Sequence, residues 1–258
     1  MTEIRDAFRN GKALVTFVTC GDPDLETTKT IVLSLAENGA DLIELGIPFS
    51  DPTAEGPVIQ GANVRALRAG TTTDRIFDMV ESIRDRVGVP MVFMTYANVV
   101  FSYGTDRFLD RCVRTGVKGL ILPDVPYEEK EDFAPACRRH GLCLISMVAP
   151  TSHDRIAMIA KESEGFLYMV SSLGVTGTRS RITTDIGSMT QAIKRVTDTP
   201  CAVGFGISSP QQAKEMSGKA DGVIIGSAIV KIIAEHGKDS AGPVGEFVRS
   251  VKKAMREP

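Results

Sequence analysis

The chain contains no tryptophan, and aromatic residues make up only 6% of its 258 positions. It has no apolar run near the roughly 18 residues of a membrane helix; the best stretch, residues 222–234, is interrupted by Ser227 and Lys231. The N-terminal MTEIRDAFRNGK lacks the apolar segment of a secretory signal, so a cytoplasmic location is expected. There is no excess of positive charge: 30 Lys and Arg face 32 Asp and Glu, a net charge of −2. That balance argues against nucleic-acid binding, which depends on neutralising phosphates. The five cysteines form no CxxC pair, and no His/Cys cluster has metal-ligand spacing, so free thiols and no metal are expected. No Pro/Ser-rich linker, charge block or low-complexity segment divides the chain.

What is present is a globular composition, 43% hydrophobic and 24% charged. Eight short β-branched or apolar runs occur at residues 13–19, 41–45, 91–95, 119–122, 143–147, 166–170, 202–204 and 222–225. Each is too short for a helix and ends in turn residues. Amphipathic segments lie between them, such as 25–38, 73–87, 107–115, 129–140, 153–162 and 186–196. In the second of these, Ile76, Met79, Val80, Ile83 and Val87 share one helical face. Alternation of this kind implies parallel strands joined by right-handed crossovers. A doubly wound open sheet is the rival architecture, but eight strands in about 250 residues favour a closed (β/α)8 TIM barrel. A single domain over residues 1–258 is expected.

In such a barrel, functional side chains come from the C-terminal strand ends and the loops beyond them. Glu44 lies in an apolar strand run, where poor solvation raises a carboxyl pKa into the range of acid–base work. A buried structural ion pair is the alternative reading of Glu44. Glu55 follows in the loop Ser50-Asp-Pro-Thr-Ala-Glu-Gly-Pro, either as the carboxylate of a lid or, the commoner fate of loop acids, in solvent with Asp51. Glycine turns at Gly174–Gly177, Gly204–Gly206 and Gly226–Ser227 suit phosphate binding through backbone N–H groups, or are simply tight turns. No dinucleotide fingerprint or P-loop occurs. Asp124 is a strand-end carboxylate that could orient another group, Asp22 reads as a turn or capping residue, and Cys20 as a small buried thiol. His140, His153 and His236 fall in or beside helices with no metal spacing.

The run Glu44-Leu-Gly-Ile-Pro-Phe-Ser-Asp-Pro-Thr-Ala-Glu-Gly-Pro-Val-Ile-Gln60 closely resembles the signature of the tryptophan synthase α subunit family. Phe17-Val-Thr-Cys-Gly-Asp-Pro23, Gly174-Val-Thr-Gly177, Gly204-Phe-Gly-Ile-Ser208 and Gly226-Ser-Ala-Ile-Val-Lys231 are similar to that family in the same order, along essentially the whole chain. The resemblance implies a TIM-barrel lyase that cleaves indole-3-glycerol phosphate to indole and glyceraldehyde 3-phosphate by a retro-aldol reaction. It implies that Glu44 carries the acid–base step and that position 55 holds a carboxylate facing the indole nitrogen. Phe17, Tyr168 and Thr176 would contact the substrate, and Gly177, Gly206, Gly226 and Ser227 would hold its phosphate.

The family further implies a β subunit that uses pyridoxal phosphate, in an αββα heterotetramer, while this chain needs no cofactor of its own. The loop around Asp51–Glu55, the segment Tyr96–Gly104 and the loop around Thr176–Thr184 would face that partner or report to it. The chain departs from the family pattern in having Glu55 where aspartate is usual and Thr53 where leucine is usual. The expected resolution is a loop that has adjusted to the longer side chain. The alternative is a weakened paralogue that mainly activates a β subunit, and a different phosphosugar barrel isomerase would lack the Glu44–Gln60 run. A chain that serves tryptophan synthesis and contains none can be made when that amino acid is scarce.

Overall fold

The computed structural model describes residues 3–151, 153–171, 184–204 and 206–257. Among the described residues there are nine strands: β1 (Ala13–Thr19), β2 (Leu42–Gly46), β3 (Met91–Met94), β4 (Gly119–Ile121), β5 (Cys143–Leu144), β6 (Met147–Val148), β7 (Leu167–Val170), β8 (Cys201–Gly204) and β9 (Gly222–Ile225). All pair in parallel, in the order β5-β4-β3-β2-β1-β9-β8-β7-β6. The two ends of this order, β5 and β6, are halves of one extended segment, so the sheet closes on itself with eight strand positions. This is the expected TIM barrel; seven of the expected strand runs coincide with an observed strand within one or two residues, and the fifth, 143–147, spans β5 and β6.

Alternate residues of each strand point inward and outward. Val15, Leu42, Val92, Ile121, Ile145, Tyr168, Ala202 and Ile224 form the inner cluster, joined by Ile4 from the 3-10 turn Ile4–Phe8 at the barrel floor. Outward residues such as Leu14, Ile43, Phe93, Leu120 and Val203 build the layer against the helices. Both faces of every strand are therefore covered, which is why β1 and β2 are buried along their whole length.

The helices start where local chemistry satisfies their first N–H groups. Asp24 accepts from Thr27 N at the helix Leu25–Glu37, and Thr72 accepts from Arg75 N at Thr73–Ile83. The latter ends four residues earlier than its apolar period suggested, although Val87 still packs into the core from the following turn. Asp22 is not a cap: it is buried, and both its oxygens accept from Arg65 at 2.7 and 2.8 Å. This two-point ion pair ties the loop after β1 to the helix Pro57–Arg68, which carries Arg65. Cys20, Cys112, Cys137 and Cys201 are buried, Cys143 is half-buried, and all five thiols are free. Among the described residues, no helix is long and apolar enough to cross a membrane.

Two inward glycines set the shape of the barrel mouth. A Cβ on Gly46 would lie 2.6 Å from the Phe17 ring, and one on Gly204 would lie 2.6 Å from the Tyr168 hydroxyl. Each aromatic ring occupies the space its neighbouring strand leaves by having no side chain there. Gly46→Ala and Gly204→Ala are each expected to lower stability by about 1–3 kcal/mol, the usual cost of overpacking, measured from urea midpoints. Unchanged midpoints would show that the rings have room to move.

Candidate active site

The C-terminal end of the barrel holds a cavity of about 560 Å³, its open mouth included, a size suited to a small organic ligand. Phe17, Glu44, Glu55, Tyr168, Gly206, Gly226 and Ser227 all line it, so seven of the nine residues singled out from the sequence come together. The other two, Thr176 and Gly177, lie outside the described residues.

Glu44 reaches the cavity because it sits two residues beyond Leu42 on β2, on the same inward face, in register with Phe17 on β1. Its side chain is fully buried, and neither carboxyl oxygen has a hydrogen-bond partner among the described residues. The ion-pair reading of Glu44 is therefore not met there. Burial alone pushes its carboxyl from 4.5 up to about 8. Tyr168, inward on β7, is also buried, and burial, reinforced by the charge of Glu44, drives its phenol well above the ordinary value.

Glu55 has a different environment. It is buried and not in solvent, while Asp51 in the same loop is exposed, so the solvated-loop reading holds only for Asp51. Asn63 Nδ2 donates to Glu55 Oε2 at 2.6 Å, and the Tyr96 hydroxyl also hydrogen-bonds to this carboxylate. Ala54 N–H donates to the Tyr96 oxygen at 3.0 Å, which leaves the phenol proton free to point at Glu55. Gln60 Nε2 holds the Glu55 backbone carbonyl at 2.7 Å. Burial raises the Glu55 pKa, while the bonds from Asn63 and Tyr96 oppose that rise by favouring the charged form.

Another part of the wall is backbone. Gly206 has φ +90°, a conformation that suits glycine, and Gly226 directly precedes the helix Ser227–His236. The first N–H groups of a helix have no partners within it and attract anions, and here that end borders the cavity through Gly226 and Ser227. A Cβ on Gly226 would also lie 3.2 Å from Phe17, so this glycine serves the aromatic wall as well as the turn.

Several residues that line the cavity or hold Glu55 were not singled out from the sequence. Met94 continues the inward parity of Val92 on β3, a signal that period-two reading contains. Asn63 interrupts the buried stripe Ile59, Ala62, Ala66 of its helix, and a polar residue on such a stripe marks a partner inside. Tyr96 belongs to the segment expected to face a partner chain, yet its ring is buried and turned toward Glu55. Asp124 is exposed, and both its oxygens accept from Ala97 N–H at 3.1 Å, bracing the start of the helix that follows Tyr96. His140 bonds to Ala136 O and Asp110, and His153 to Ser188. Among the described residues, no group of three His, Cys, Asp or Glu is arranged to hold a metal ion.

Comparison with known proteins agrees with this geometry. The family model described as tryptophan synthase alpha chain matches residues 5–257. The tryptophan synthase alpha chains of Lacticaseibacillus casei and Lactiplantibacillus plantarum are each 46% identical, over 99% of this chain and 96% and 97% of theirs. Among solved structures, tryptophan synthase subunit alpha from Legionella pneumophila superposes with a TM-score of 0.89 at 35% identity, covering 99% of this chain and 98% of that one. A chain of Mycobacterium tuberculosis tryptophan synthase gives a TM-score of 0.89 at 34% identity, covering 99% and 97%. A barrel mouth with two buried carboxyls facing a helix N-terminus, and matches of this length, place the chain in the tryptophan synthase alpha chain family.

Proposed function

We propose that this chain, as one barrel domain, cleaves the carbon–carbon bond of indole-3-glycerol phosphate, releasing indole and glyceraldehyde 3-phosphate. The observation that carries the reading is the pair of buried carboxyls in contrasting environments within one cavity, Glu44 without a partner among the described residues and Glu55 held by two donors.

The phosphate lies against the N–H groups at Gly206 and Gly226–Ser227, with the Ser227 hydroxyl as a further donor. Thr176 and Gly177 complete that end by family resemblance. Phe17 and Tyr168 supply flat apolar walls for the ring. Glu44, protonated below about pH 8, delivers its proton to indole C3. Positive charge then develops on the ring nitrogen, and the Glu55 carboxylate accepts a hydrogen bond from the indole N–H and stabilises that charge. Glu44, now a carboxylate, takes the proton of the side-chain hydroxyl next to C3. The carbon–carbon bond breaks, its electrons return to the ring, and the aldehyde forms. Protons balance, because Glu44 gives one and regains one.

An alpha chain of tryptophan synthase implies a β-subunit partner. The finer assembly belongs to this proposal: an αββα heterotetramer in the cytoplasm, with indole passed to the β subunit. The reading as a weakened activator is not favoured, because the comparisons run the length of the chain and Glu55 is anchored at the cavity.

Glu44→Gln is expected to lower cleavage by about 10²–10⁴-fold, the usual contribution of a positioned acid or base, followed as indole release. Near wild-type activity would refute the mechanism. The same group predicts a stability effect of defined sign. Between pH 4.5 and about 8 the unfolded chain ionises Glu44 while the folded chain does not, so the folded state binds the extra proton and stability falls as pH rises. Urea unfolding should therefore show Glu44→Gln gaining on wild type across that window and levelling off above it. Cleavage should decline on an alkaline limb near pH 8, where Glu44 loses its starting proton.

Glu55→Asp shortens the side chain by one methylene and draws the carboxylate back from Asn63 and Tyr96. A displacement of about 1 Å can cost on the order of 100-fold in rate, so turnover should fall despite the chemical similarity. A large gain would mean that Glu55 is not adapted to this loop.

A further inference from the structure

A second cavity, about 830 Å³ with its open mouth, adjoins the first, and the two share just two lining residues, Pro123 and Met147. It exists because the barrel wall parts there. The β4–β5 ladder ends with Ile145 N–H donating to Leu120 O. Met147 pairs instead on its other side, with Tyr168 on β7. Between the splayed ends of β4 and β6 lies the second cavity, and the Met147 side chain, half-buried and backed by open space, stands at the division.

We propose that Met147 is a movable partition, and that the space behind it admits indole-glycerol phosphates bearing a small apolar substituent, such as a methyl group or chlorine, on the benzo ring. This rests on the function proposed above and extends it to substrate range. Direction supports it. In the ring of eight strand positions, the loop after β4 carrying Pro123 lies opposite the end of β9, where Gly226 and Ser227 would hold the phosphate. A substrate anchored by its phosphate there points its aromatic end at Pro123 and Met147. Chemistry supports it as well. Leu122, Val125, Leu144 and Ile159 give the second cavity an apolar part beside the polar Tyr127, Ser146 and Thr151, and its two cations are paired, Lys130 with Glu162 and Arg155 with Glu128. A small neutral substituent meets that apolar part without facing an unpaired charge. An unbranched thioether side chain can yield to such a group where a β-branched one cannot.

The test compares kcat/KM for the parent substrate and its 5- and 6-chloro or methyl derivatives, using the full chain. Met147→Ala should raise the substituted-to-parent ratio by about tenfold, and Met147→Ile should lower it, since one methyl-sized group in an apolar pocket is worth about 10–200-fold. Ala149→Phe fills the second cavity from behind without lining the first; it should lower the ratio while leaving parent cleavage unchanged. Ratios within twofold of wild type in all three variants would overturn the proposal. Failure of the wild-type chain to cleave the parent substrate would instead refute the proposed function. Titration of the same variants with indole and 5-chloroindole would then still decide the partition, by whether their relative affinities follow residue 147.

Discussion

Removing a carboxyl group from water without giving it a partner is among the costlier things a fold can do, and among the described residues this barrel does it at Glu44. The cost is moderated because the group keeps its proton: burial moves its pKa to about 8, and the neutral acid tolerates an apolar wall that the carboxylate would not. Much of the barrel mouth serves that condition. The Phe17 and Tyr168 rings fill the positions beside Glu44, and they fit because Gly46 and Gly204 withdraw their own side chains. A hydroxyl or amide placed within reach would relieve the cost of burying Glu44 and remove the acid–base use proposed for it.

Glu55 shows the opposite solution a short distance along the chain. It too is buried, but Asn63 and Tyr96 donate to it, and those bonds favour the charge that burial opposes. The supports for this second carboxylate come from three directions. The Asp22–Arg65 pair fixes the helix that presents Asn63, Ala54 N–H orients the Tyr96 hydroxyl, and Asp124 braces the helix after Tyr96. Two identical side chains thus acquire different surroundings, one without a donor among the described residues and one held by two, the contrast on which the proposed division between acid and charge stabiliser rests.

The extra methylene of Glu55 finds its explanation in that network. With its backbone carbonyl held by Gln60 and its carboxylate by Asn63, the longer side chain is fastened at both ends. Its reach is taken up inside the protein, with no need for the carboxylate to protrude into the cavity unsupported. The sequence contained a hint of this in Asn63, whose amide breaks an apolar stripe, but the hint had no address until the helix was folded over the loop.

Taken alone, the sequence determined the alternation of strand and helix, the number of strand positions, the inward parity that puts Glu44 at a barrel mouth, and the family motif around it. These are local properties: period, turn chemistry and residue type within a few positions, which need no knowledge of distant neighbours. Only the tertiary structure decided that Glu44 has no ion-pair partner among the described residues, that Glu55 is buried and Asp51 is not, that Asp22 grips Arg65 where it looked like a turn or capping residue, and that Tyr96 turns inward. It alone placed Met147 between two cavities. Each of these depends on which residues far apart in the chain come within a few ångströms of one another. Solvation and hydrogen bonding act over that range of space, and spacing along the chain does not report it.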